Sequence, residues 1–225
     1  MVRMQGGSTS TDSDAHPLVA AARIAVLGAL AATAGDLGQL WVVNSGRAAL
    51  HLAPPPQWLI VIATLAGAIG IPLYALGYQA RARQARFLAP QRAAAVAAFG
   101  AAFGALGGSV HAVTGVLIWS RVGGIASELD PLQGILASGP IVLTLWALAG
   151  AAFLAAAACE AALPQPLRQR LANPLLLTLL LTGAAMLLPV PWRDLLAPAS
   201  INIAHLVFFA GWVVPSRVAM PAAPS

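Results

Sequence analysis

The chain has 225 residues, of which 59% are hydrophobic and 8% charged, against about 25% charged in an average soluble domain. That balance excludes an ordinary water-soluble domain and points to a membrane protein. Twelve basic side chains, all arginine, face seven acidic ones and leave a formal charge of +5; no run of them is long enough for a nucleic-acid-binding tail. The single cysteine, Cys159, leaves no internal disulfide and no CxxC redox or zinc motif.

In chain order, residues 1–17 are polar and rich in Ser, Thr, Gly and Asp, with too little apolar surface to offset the entropy of ordering, and are expected as a disordered cytoplasmic tail. A spanning helix needs about 20 mostly apolar residues, a length met by residues 24–43, 58–78, 93–119 and 135–159. Residues 175–190 and 201–214 are shorter. The last helix reaches spanning length if it begins near Leu195 with Pro198 in its first turn, where proline is tolerated; otherwise it is a re-entrant half-helix. The expected fold class is therefore all-α, a polytopic bundle of about six spanning helices over residues 18–216, followed by a short cytoplasmic tail at 217–225.

Arginine distribution sets the expected orientation. With the N-terminus inside, nine arginines (Arg3, Arg23, Arg81, Arg83, Arg86, Arg92, Arg168, Arg170 and Arg217) fall on the cytoplasmic side and three (Arg47, Arg121 and Arg193) outside, the bias expected of an N-in, C-in protein. Trp41, Trp58, Trp119 and Trp192 then fall at outer helix ends, as an interfacial aromatic belt requires. A competing reading makes the stretch from Ile24 to Ala32, with the A-x-A-like Ala32-Thr33-Ala34, a cleaved signal peptide. Against it stand the long polar leader with Asp12 and Asp14, and the apolar continuation that completes a span.

Polar groups inside the membrane are costly and mark candidate sites. At 1.5 Å per residue, Asp36 lies about 10 Å below the outer end of the first helix, His111 about 12 Å below Trp119, and His205 roughly 7 to 10 Å below the start of the last helix. Asn202 sits on the same face as His205. These three ionisable groups are expected to share one layer in the outer half of the bilayer. Gly100, Gly104, Gly108, His111 and Gly115 recur at spacings of three and four, giving a small-residue face that admits a neighbouring backbone and turns His111 toward protein. By the same count Tyr74 and Tyr78, on a helix that Pro72 should kink, form a second layer in the cytoplasmic half. Glu160 is expected as a solvated helix end.

Three uses of the first layer remain open. Asp36, His111, His205 and Asn202 suit a ligand-binding or proton-relay site in a protein that binds or moves a small molecule, lipid or proton. Two imidazoles and a carboxylate, Asp36, His111 and His205, also form a familiar first shell for zinc or iron, which would support metal-dependent hydrolysis of a lipid-like substrate; no HExxH or other local metal spacing supports it. A purely structural role for a buried Asp–His pair is the third. Ser109 and His111 point to different helix faces, only His205 could serve Ser109 as base, and GxSxG is absent.

GDLGQLW around Asp36, IPLYALGY at 71–78, GSVHA at 108–112 and PASINIAH at 198–205 resemble a poorly characterised family of small bacterial six-helix membrane proteins with no assigned activity. With the lysine-free, alanine-rich composition, the resemblance implies a bacterial cytoplasmic membrane. The seven-helix hydrolase superfamily of alkaline ceramidases and progestin and adipoQ receptors pairs Ser-xxx-His with a late His-xxx-His; here Ser109 precedes His111 by two, and Phe209 stands four residues after His205. No nucleotide, dinucleotide or haem fingerprint occurs, so no cofactor is expected beyond the metal of the second reading. The expected partners are the lipid bilayer, a small-molecule or lipid ligand, and a second copy packed through Gly100, Gly104 and Gly108, with no nucleic acid.

Overall fold

A computed structural model describes residues 11–43, 56–123 and 139–213, and among them every regular element is helical. Helix α1 runs Thr11–Val43, α2 Gln57–Gly70, α3 Tyr74–Ala85, α4 Pro90–Gly123, α5 Gly139–Ala161, α6 Leu167–Leu171, α7 Pro174–Met186 and α8 Val190–Val213. Between α2 and α3 the 3-10 turn Ile71–Leu73 tightens the backbone, because Pro72 has no N–H to return to the preceding turn. The two helices continue as one apolar rod, Gln57–Ala85.

Among the described residues, five helical stretches are long and apolar enough to cross a membrane: Pro17–Trp41, Gln57–Ala85, Pro90–Trp119, Pro140–Ala161 and Val190–Trp212. Outward positions of these stretches and of the shorter helix Pro174–Met186 carry exposed Leu27, Ile62, Leu65, Leu143, Leu179 and Leu180, a surface suited to hydrocarbon and unsuited to water. The chain is an α-helical, multi-pass membrane protein.

Three boundaries differ from expectation. Helix α1 begins at Thr11, inside the stretch expected as a tail. Residues 1–10 and the expected C-terminal tail lie outside the described residues. The fifth segment is the short one: α7 has 13 residues, about 20 Å of helix against a hydrocarbon core of about 30 Å. The last segment, expected to start near Leu195 or to re-enter, is a 24-residue helix starting at Val190, with Pro198 inside it. Trp192 therefore belongs to the first turn of α8. Asn173 starts α7 by accepting from the Leu175 and Leu176 amides, with Pro174 next, where a proline costs no hydrogen bond.

Helix α1 packs against α2, α3 and α8; α4 packs against α2, α3 and α5; α7 packs on α8. Close approach depends on absent side chains. A Cβ on Gly28 would lie 2.6 Å from the Gly70 carbonyl oxygen, and one on Gly100 2.2 Å from Tyr78 Cγ. Gly108 meets the Pro72 ring and Gly104 the carbonyls of Ile71 and Pro72. The face expected to join two copies is thus filled by the α2–α3 rod of the same chain.

Candidate functional site

Asp36, on α1, is brought to α4 by backbone packing. A Cβ on Gly35 would lie 2.7 Å from the Ala63 carbonyl oxygen, so α1 lies directly against α2 here. Asp36 Oδ1 is 3.1 Å from His111 Nδ1. The other ring nitrogen, Nε2, is 3.1 Å from the Ala63 carbonyl oxygen. The imidazole occupies the space a side chain on Gly67 would fill. Both ring nitrogens therefore face oxygen atoms.

Helix α8 closes the cluster. Asn202 Nδ2 donates to Asp36 Oδ2 at 2.6 Å, and the Tyr74 hydroxyl donates to Asn202 Oδ1 at 2.7 Å. Gln39, one turn beyond Asp36 and buried, donates to Thr64 Oγ1 at 3.1 Å and to the His111 carbonyl at 3.2 Å. Four helices and the α2 backbone thus converge on one carboxylate. Asp36, His111 and Asn202 meet as the depth count anticipated; Tyr74 joins them against it.

His205 does not. It is fully buried, its Nδ1 donating to the Ile201 carbonyl at 2.7 Å. That leaves Nε2 as the acceptor for the Tyr78 hydroxyl at 2.9 Å. Its ring is stacked between Tyr74 and Phe103, with centroids 4.6 and 5.1 Å away. With His205 committed to Tyr78 and Ile201, the expected metal set of Asp36, His111 and His205 is not assembled. Among the described residues no group of three His, Cys, Asp or Glu side chains is placed to hold a metal ion. Ser109 is exposed and donates to the Ala105 carbonyl of its own helix.

The depth count set the tyrosines apart from the first layer, yet Tyr74 reaches Asn202 and Tyr78 reaches His205; their helix, expected to end at Tyr78, continues to Ala85. Glu160 is corrected for the same reason. It is fully buried, with Oε1 2.8 Å from Arg81 Nε, and Arg81 also donates to Gln165 at 3.1 Å and lies over the Trp212 ring. Arg81, read from the sequence as a loop charge, is an interior residue. The signal that could have paired them was Glu160 itself, an acid at the end of an otherwise uncharged span.

Beside the Asp36 cluster lies a partly open cavity of about 370 Å³. Asp36, His111 and Asn202 form its polar end, and Phe103, Val110, Ile118, Trp146 and Ile201 contribute most of its apolar wall. It separates α5 from α8. The two helices approach at Phe153 and His205, whose rings are 5.6 Å apart, whereas at Trp146, Gly150 and Pro198 the cavity intervenes. A hydroxyl-to-hydrogen exchange probes the polar end: Tyr74→Phe leaves Asn202 Oδ1 unpaired and should destabilise the fold by about 1–3 kcal/mol, read by thermal unfolding in detergent. Stability equal to wild type would show that the Tyr74 bond holds nothing in place.

Comparison with protein-family models, with curated proteins and with solved structures finds no match.

Proposed function

We propose that the protein, N-in and C-in in a bacterial cytoplasmic membrane, binds or moves a small amphiphilic molecule through the cavity at Asp36. The observation that carries this reading is the cavity's composition: an apolar wall ending in a hydrogen-bonded Asp–His–Asn cluster, the combination by which small-molecule sites bury a ligand body and orient its head. A purely structural Asp36–His111 pair would need no space beside it. The arginine distribution supports the orientation, and the resemblance and composition support the membrane. A metal-dependent hydrolase is the weaker reading, since its third ligand, His205, is engaged elsewhere.

Gly150 supplies the test. It lines the cavity, and a Cβ added there meets nothing within 4 Å, so Gly150→Phe fills the space without displacing a neighbour at its root. In lipid nanodiscs, an alkyl diazirine photoprobe should label Phe103 and Ile201 of the wild type. Gly150→Phe should cut that labelling at least tenfold (on the order of a fully blocked site) while leaving the exposed Leu179 and Leu180 equally labelled. Equal cavity labelling in both proteins would sink the proposal.

A further inference from the structure

We infer that the cavity selects a neutral molecule with a hydroxyl head on an apolar body, over an anion or a cation of the same length. This rests on the reading of the cavity as a binding site and adds the class of ligand. Size comes first. A space of about 370 Å³ lies at the lower end of the roughly 300–1,000 Å³ of small-molecule sites, which suits a small amphiphile.

Charge comes next. Among the described residues no arginine lines the cavity. The basic side chain on its described lining is His111, and both nitrogens of that ring are already directed at Asp36 and the Ala63 carbonyl. An anionic head entering here would leave water without a cation to meet, beside a carboxylate. A cationic head meets a different obstacle: Asp36 is already engaged by His111 and Asn202, so an added ammonium either displaces one of them or stands uncompensated against an apolar lining, which is strongly disfavoured.

Hydrogen-bond capacity then selects among neutral heads. A carboxylate offers about four lone-pair positions, and Asp36 uses one for His111 and one for Asn202. Asn202 accepts from Tyr74 and gives one amide hydrogen to Asp36, which leaves its second hydrogen. Gln39 has given both of its hydrogens away and keeps only its carbonyl oxygen. The cluster therefore offers acceptors on Asp36 and Gln39 of α1 and a donor on Asn202 of α8. A hydroxyl, which donates one hydrogen and accepts another in a single small group, satisfies both; a ketone or ester can only accept and leaves the carboxylate positions unmet.

Scintillation-proximity binding of tritiated 1-decanol, decanoate and decylammonium to the immobilised full chain in nanodiscs tests this, with Gly150→Phe as the blocked reference. In the wild type, decanol should bind at least tenfold more tightly than either charged probe (a factor of the kind one buried charge imposes). The decanol signal should fall to background in Gly150→Phe. Asp36→Asn, which keeps the side-chain size and removes the carboxylate, should narrow the alcohol's advantage over decanoate and leave its advantage over decylammonium in place. Decanoate or decylammonium binding as well as decanol, or an advantage over decanoate that is undiminished in Asp36→Asn, would overturn the head-group assignment while leaving the cavity as a binding site. Decanol binding equally to wild type and Gly150→Phe, or to neither, would remove the binding site itself.

Discussion

Arg81→Leu should lower the stability of the folded protein by about 3–5 kcal/mol, the range for removing one partner of a buried ion pair. Glu160 is fully buried, its Oε1 is held by Arg81 at 2.8 Å, and its Oε2 is without a hydrogen-bond partner among the described residues. Once the guanidinium is gone the carboxylate has no counter-charge, and the Trp212 ring loses the cation stacked 4.5 Å from its centre. The double replacement Arg81→Leu, Glu160→Leu should recover much of the loss, because two apolar side chains leave no charge in the interior. Thermal unfolding of the three proteins in one detergent is the measurement. A single variant no less stable than the double one would show that the pair does not hold α3 to α5.

The second large effect concerns Gly100. Even an alanine there puts a Cβ 2.2 Å from Cγ and 2.5 Å from Cβ of Tyr78, atoms at the root of the side chain that cannot swing aside. Gly100→Ala should therefore destabilise the protein at the upper end of the roughly 1–3 kcal/mol typical of overpacking, and Gly100→Leu should yield little folded protein. Moving Tyr78 also pulls its hydroxyl from His205, so the damage spreads into the stacked rings around that histidine. Gly183→Ala is the control: nothing lies within 4 Å of an added Cβ on α7, and alanine favours a helix over glycine by about 1 kcal/mol. Matching thermal stabilities for Gly100→Ala and Gly183→Ala would contradict the close contact between α4 and the α2–α3 rod.

Helix existence was legible in the sequence because hydrocarbon imposes a length and an apolar composition together, and all four of the longest apolar stretches are helices in the structure. Their ends were not. Residues 79–85 of α3 include Arg81 and Arg83, which hydropathy assigns to a loop, yet intrahelical hydrogen bonding continues through them and Glu160 neutralises the buried one. The meeting of Asp36 with His111 was legible from depth alone, since two polar groups at one level in neighbouring helices have few other partners. His205 illustrates the limit of the same reasoning: depth says nothing about the direction a ring faces, and here an i−4 carbonyl, a tyrosine hydroxyl and two aromatic faces set it. The glycine face was correctly read as a contact surface, but small residues do not reveal whether the backbone they admit comes from the same chain.

The turn after α7 bears on the surrounding bilayer. Leu187 is 87% exposed, and Met186 and Val190 are also open, so this corner is apolar although it ends a helix too short for the full hydrocarbon depth. Its backbone is partly satisfied within the turn: the Leu187 and Leu188 amides bond the Ala184 and Ala185 carbonyls, Pro189 has no amide hydrogen, and the Pro189 carbonyl accepts from Trp192 and Arg193. Arg193 and Asp194, part-exposed just beyond it, need water or headgroups. A short helix that ends beside such charges is met by local thinning of the bilayer, so the protein's seat is set by its long helices while lipid draws in around α7.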